Sequence, residues 1–205
     1  MLSERAISIR DCLSTAERLR SKRLLGHEDR VGRLCVMLGG IMGFDPGHLI
    51  RLRYAAGLHD VGKLAISDTI LNKPGRLDPD EWEAMRQHSE FGYQILRETN
   101  DPTVLFAADI ALQHHECWDG SGYPAGLKGD AIMREARIVG LCDIYDAMRE
   151  ERPYKAPISH EQVVHTILHG DARGRTRPSL FDPELLAVME ADAEPFRNVF
   201  DAVPG

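Results

Sequence analysis

The chain lacks the roughly 18 consecutive apolar residues that a membrane-spanning helix needs, and residues 1–20 have no unbroken apolar centre of the kind a secretory leader carries. These absences predict a soluble, cytoplasmic protein with no membrane segment. Cysteine is scarce: Cys12, Cys35, Cys117 and Cys142 include no C-x-x-C pair. That disfavours a zinc–thiolate site and leaves incidental, reduced thiols. Positive charge is not in surplus either, with 25 Lys and Arg against 32 Asp and Glu, a net charge of −7. Broad affinity for DNA or RNA needs a basic face, so nucleic acid is excluded as a partner. A small phosphate substrate is not excluded, because bound cations and a few basic side chains make a locally positive pocket. Aromatics are only 6% of the residues, no strand-like alternation is sustained, and no internal repeat is present.

The 205 residues, 43% hydrophobic, suffice for one ordinary core. Nearly every segment reads as helix between short polar breaks, so the expected class is all-α. Residues 3–24 carry Ile7, Leu13, Ala16, Leu19 and Leu24 in a modest amphipathic pattern broken by Gly26; residues 28–42 place Val31, Leu34, Leu38, Ile41 and Met42 on one stripe. Asp45-Pro46, Asp78-Pro79, Asp101-Pro102 and Asp182-Pro183 each combine an N-cap with proline at the first helical position. They predict helices to about Leu58, about Glu98 and about His115, and a last main helix from Asp182. Residues 64–77 and 117–130 are rich in turn residues and read as irregular; 134–150 and 159–169 read as helices. Residues 1–25 read as a connector helix and 26–205 as the functional domain.

Seven side chains on separate helices or helix ends form one candidate ligand set: His27, His59, Asp60, His88, His114, His115 and Asp143. A helical bundle builds a central metal site from inward-facing residues in this way. The adjacent pairs His59-Asp60 and His114-His115 converge only at helix ends, and Gly62 and the glycine-rich 117–130 loop supply such ends. Asp143 lies among Ile138, Val139, Leu141 and Ile144, and a buried carboxylate needs a partner or a metal. The remaining histidines read as structural, for His48, or solvent-facing, for His160, His165 and His169.

The segments that carry this set resemble the HD-GYP subgroup of the HD metal-dependent phosphohydrolases. They are His59-Asp60-Val61-Gly62-Lys63; Ile70-Leu71-Asn72-Lys73-Pro74-Gly75; His88-x-x-x-Gly92; and His114-His115-Glu116-x-Trp118-Asp119-Gly120-x-Gly122-Tyr123-Pro124. Asp143-x-x-Asp146-Ala147 and Arg152-Pro153-Tyr154-Lys155 follow in consistent order over roughly residues 25–190. The resemblance implies an HD-type helical bundle with a central binuclear metal site and a phosphodiesterase that converts cyclic di-GMP to pGpG and onward to GMP. It assigns His27, His59, Asp60 and Asp143 to one divalent metal and His88, His114 and His115 to the other, with Asp60 bridging. Fe(II) or Mn(II) are the metals it favours, and His-rich, thiolate-free donors agree. Such a pair attracts a phosphodiester and activates water for in-line attack, with Asp60 and Lys63 as the catalytic side chains and Lys63 placed to stabilise phosphate oxygens. Tyr123, Arg152 and Lys155 match substrate-contacting positions alongside Lys63. The Gly-Tyr-Pro loop is also a protein-partner surface in the family, and the N-terminal helix is a candidate for homodimerisation.

Two departures from the family pattern matter. Members with three metals carry a glutamate four residues before the first histidine; here that residue is Arg23, which predicts two metals. The usual Leu-Thr-Ser after Asp-Ala is replaced by Met148-Arg149-Glu150-Glu151. A weakly active cyclic di-GMP sensor or interaction module, a phosphodiesterase for another cyclic dinucleotide, and a different HD-type enzyme such as a nucleotide phosphohydrolase or di-iron oxygenase are the competing readings. The intact ligand set weighs against the sensor, and the Gly-Tyr-Pro and Arg-Pro-Tyr-Lys segments against the last.

Overall fold

The computed structural model describes residues 1–20, 26–150 and 158–203. Arg23, Leu24, Glu151, Arg152 and Lys155 therefore lie outside the described residues. All regular structure among the described residues is helical, as expected. In chain order the helices are α1 (Glu4–Arg20), α2 (His27–Ile41), α3 (Pro46–Ala56), α4 (Asp68–Leu71), α5 (Pro79–Arg86), α6 (His88–Arg97), α7 (Pro102–Gln113), α8 (Arg134–Arg149), α9 (His160–His169), α10 (Pro183–Ala191) and α11 (Glu194–Asp201).

The four Asp-Pro starts work as their chemistry predicts. Asp45, Asp78, Asp101 and Asp182 each accept hydrogen bonds from backbone N–H groups of the first helical turn, which otherwise have no partner. Asp78 and Glu81 complete a reciprocal capping box. The core forms where α2 packs on α3 and α8, and α7 on α3 and α6. Val31, Leu34 and Leu38 of α2 are fully buried in it, whereas Ile41, at the helix end, is exposed.

Three expectations need correction. The helix predicted from Asp78 to Glu98 is two helices, parted at Gln87. There the ring Nδ1 of His88 takes up the Met85 carbonyl at 2.7 Å. His160 is buried, not solvent-facing, and its Nδ1 lies 2.7 Å from the Tyr145 hydroxyl. The buried face of α1 is Ala6, Ser14 and Glu17, while Leu19 is exposed. That helix turns a polar face inward because it borders the polar site described below.

Helix α1 is tied down at both ends. Near its start, Tyr54 donates to the Ala6 carbonyl at 2.9 Å and Ser3 donates to Asp101. At its end, Arg20 donates to the carbonyls of Lys63, Leu64 and Ile66 and pairs with Asp68. It thereby clasps the short 3-10 turn Val61–Ala65, which packs on α6. That packing needs glycine at position 62. A Cβ there would sit 1.8 Å from the His88 carbonyl oxygen and 2.4 Å from the Gly92 nitrogen.

Gly62→Ala is therefore expected to cost about 3 kcal/mol or more, because backbone cannot yield as a side chain does, and to lower Tm by several degrees. Gly40→Ala, on an open helix surface with only Leu49 near its Cβ, should instead add about 0.5–1 kcal/mol. Parallel thermal melts check both, and an unchanged Tm for Gly62→Ala would contradict the packing argument.

Candidate metal centre

All seven expected ligands converge. His59 and Asp60 sit in the turn between α3 and Val61–Ala65; His88 opens α6; His114 and His115 follow the end of α7; His27 opens α2; Asp143 lies on α8. His59 Nε2 lies 3.5 Å from Asp60 Oδ2 and 3.8 Å from Asp143 Oδ1, which is 3.4 Å from His27 Nε2. On the other side, Asp60 Oδ1 is 3.3 Å from His88 Nε2 and 3.8 Å from His114 Nε2. His115 Nε2 is 3.1 Å from His88 Nε2. The two carboxylate oxygens of Asp60 thus face two different histidine groups, Asp60–His88–His114–His115 and His27–His59–Asp60.

Tautomers follow from the outer ring nitrogens. His59, His88 and His114 each turn Nδ1 onto the carbonyl three residues back, of Ala56, Met85 and Ala111, at 2.7, 2.7 and 2.9 Å. A carbonyl only accepts, so each Nδ1 carries the proton, and the neutral rings of His88 and His114 present an Nε2 lone pair inward. His27 does the same through Asp146, with Nδ1 to Oδ2 at 2.8 Å. Asp146 is fully buried and is gripped by Arg30, Nε to Oδ1 at 2.6 Å and Nη2 to Oδ2 at 2.9 Å. His88 Nε2 and His114 Nε2 therefore face each other at 3.4 Å as two lone pairs, which repel unless a cation lies between them.

The donor set fits divalent cations. His59 Nε2 and Asp60 Oδ1 are buried without any hydrogen-bond partner, a costly state for polar atoms unless a metal takes them. Donors 3.3–3.8 Å apart suit two bonds of about 2.0–2.2 Å meeting at a tetrahedral or wider angle. Two buried His/Asp clusters sharing one carboxylate are suited to a binuclear centre. The free cysteines take no part in either cluster.

Electrostatics divide the rings. Burial drives the imidazoles toward neutrality: His114 falls well below its ordinary value and His115 to about 3, with neighbouring histidines adding to the effect. Burial also opposes charge on His59, but Asp60 and Asp143 outweigh it and push that ring up to about 10. Against its own burial, Asp60 is held well below the carboxylate range by Lys63 and the surrounding imidazoles. Lys63 pairs with Asp60 Oδ2 and is itself shifted upward, where Asp60 and Asp143 overcome desolvation.

The Gly-Tyr-Pro loop is stapled beside this centre. Glu116 accepts from the Ala125 and Leu127 amides at 2.8 and 2.9 Å, and the Tyr123 N–H donates to the His115 carbonyl. Gly122 passes so close that a Cβ would lie 2.3 Å from the Cys117 nitrogen. The Tyr123 ring stacks on His115 at 4.7 Å, with the Arg86 guanidinium 4.5 Å from its centroid on the ring face. A cavity of about 470 Å3 opens over the centre, lined among others by His27, Asp60, Lys63, His88, His115, Tyr123 and Asp143.

Other residues of the site were not singled out from the sequence. Asp146 was visible only as part of the Asp143-x-x-Asp146 spacing. Trp82, half exposed on the cavity wall, and Glu17, 2% exposed within it, carried no signal. Burial, with Glu28 and Asp60 nearby, pushes the Glu17 carboxyl up to about 8.

This fold and this buried His/Asp centre define an all-α HD-type protein. Residues 12–180 match the HD domain family. The chain belongs to that family, and within it to the HD-GYP type. It is 36% identical over 192 residues to a 3'3'-cGAMP-specific phosphodiesterase of Vibrio cholerae, covering 94% of this chain and 36% of that protein. It is 45% identical over 141 residues to a cyclic di-GMP phosphodiesterase of Thermotoga maritima, covering 69% of this chain and 38% of that one. The chain thus spans well under half the length of these relatives. The crystal structure of a cyclic GMP-AMP-specific phosphodiesterase of V. cholerae shares the fold, with a TM-score of 0.62 at 22% identity, covering 95% of this chain and 49% of that one. No helix among the described residues is long and apolar enough to cross a membrane.

Two outcomes follow. Asp60→Ala is expected to abolish paired metal binding, measured as metal content per chain; full loading of the variant would remove Asp60 from the shared position. For Glu17, the folded value of about 8 lies above its ordinary 4.5, so its contribution to stability is complete below pH 4.5 and lost as pH rises through 8. Metal-free Glu17→Gln should then melt higher than the parent at pH 9, on the order of a few kcal/mol, and no higher at pH 4.

Proposed function

We propose that this chain is a metal-dependent phosphodiesterase for cyclic dinucleotides, hydrolysing cyclic di-GMP to pGpG, with GMP the product wherever the linear dinucleotide is cleaved as well. The observation that carries this reading is Asp60 divided between two histidine clusters on the floor of a cavity of about 470 Å3, within the range of small-molecule sites. The reading places His27, His59, Asp60 and Asp143 on one metal and His88, His114, His115 and Asp60 on the other, with Fe(II) or Mn(II) as the ions. Such a pair, when bound, supplies positive charge toward phosphate and lowers the pKa of water at neutral pH.

The chain's own side chains do the rest. Lys63 pairs with Asp60 Oδ2 at the cavity floor. Lys63 is the side chain placed to meet a non-bridging phosphate oxygen, where charge develops. Tyr123 keeps its phenolic proton, since burial and the nearby Asp60 and Asp143 raise its pKa, and it acts as a neutral donor at the cavity edge. Trp82 offers an exposed indole face on which a nucleobase stacks. Arg152 and Lys155, also expected at the substrate, lie outside the described residues. So does the edge of the proposed connector, residues 1–25; within it, exposed Ile7 and Leu19 of α1 are the apolar side chains a homodimer through that helix would use. The Gly-Tyr-Pro loop is the proposed surface for a protein partner.

A second reading, cyclic GMP-AMP as the preferred substrate, is favoured by the relative that aligns over 94% of this chain. An anaerobic assay with Mn(II) or Fe(II), following cyclic di-GMP, cyclic GMP-AMP and pGpG by chromatography, should show hydrolysis with two metals per chain. No turnover of any substrate by metal-loaded protein would overturn the reading. Three metals per chain would overturn the argument from Arg23.

A further inference from the structure

Among the described residues the cavity carries positive side chains, Lys63 and Arg20, and, where α8 ends, the carboxylate of Glu150. This is a position at which the family pattern has a small hydroxyl residue. Glu150 is not a loosely held surface group. Arg30, 2% exposed, donates from Nη2 to Glu150 Oε1 at 3.1 Å while gripping Asp146, which in turn orients His27. One buried guanidinium thus ties Glu150 to the helices that carry His27 and Asp143. Glu150 nevertheless keeps 28% of its side chain exposed and lines the cavity.

A carboxylate repels a phosphodiester, so the part of a nucleotide that faces it is the base. It can only accept hydrogen bonds. Guanine offers two adjacent donors on its Watson–Crick edge, N1–H and the N2 amino group. Adenine offers its N6 amino group beside the N1 lone pair, which would meet the carboxylate as acceptor against acceptor. We propose that Glu150, held by Arg30, reads the guanine edge of the substrate and selects guanine over adenine at one of its two base positions. This rests on the cyclic dinucleotide reading above. Adenine is disfavoured because it leaves a polar group in the site unpaired. A single guanine-reading position admits both cyclic di-GMP and cyclic GMP-AMP and disfavours cyclic di-AMP. Arg30 is a positioning residue in this scheme.

The test is calorimetric binding of GMP, IMP and AMP to the metal-loaded full chain and to Glu150→Gln, with metal content measured on both. The parent should bind GMP at least about tenfold more tightly than AMP, with IMP, which lacks the N2 amino group, between them. A glutamine both donates and accepts, so Glu150→Gln should bring GMP and AMP within about threefold of each other at unchanged metal content. Equal affinity of the parent for GMP and AMP would overturn the proposal, as would equal weakening of both by Glu150→Gln. Base-selective binding without hydrolysis would sink the phosphodiesterase reading and leave the role of Glu150 standing. Hydrolysis of every cyclic dinucleotide without base preference would do the reverse, and no nucleotide binding at all would overturn both.

Discussion

The structure turns on one carboxylate. Asp60 directs Oδ2 toward His59 and Oδ1 toward His88 and His114, so the two histidine groups are parts of one centre. A charged carboxylate in a buried site is tolerable only with cations around it. Lys63 provides one, and the inward-facing Nε2 atoms of the histidines gather two clusters suited to others. Everything that surrounds the site serves to hold these donors at separations they would not choose for themselves.

That holding is done largely by backbone. Three histidines are turned by the same device, a ring Nδ1–H on the carbonyl three residues earlier, available wherever a helix ends or begins and a carbonyl lacks its usual partner. For the fourth, His27, the partner of Nδ1 is Asp146, backed by Arg30. The same Arg30 extends the arrangement to Glu150 at the cavity wall. The orientation of His27 and the cavity wall at Glu150 are therefore coupled through a single buried guanidinium.

Much of this was legible beforehand, and what was not follows a pattern. Helix starts at Asp45, Asp78, Asp101 and Asp182 depend on a side chain and the backbone beside it, so local sequence suffices. The break at Gln87 was hidden because it exists to aim His88 at a centre assembled from distant residues. Nothing in the sequence singled out Glu17, yet it is buried, because the surface α1 meets is a polar cavity and not an apolar core. His160 read as exposed for the same reason: its partner, Tyr145, lies on another helix.

By itself the sequence determined the helical class, the caps, the identities of the seven convergent side chains and the HD-GYP type, since these rest on local chemistry and on motif spacing. Only the tertiary structure decided that Asp60 stands between two clusters, which nitrogen each histidine presents, and that Glu17, Trp82 and Glu150 border the cavity. Those are relations between side chains remote in the chain. They come into being when α1, α2, α6, α7 and α8 pack around the turn that carries His59 and Asp60.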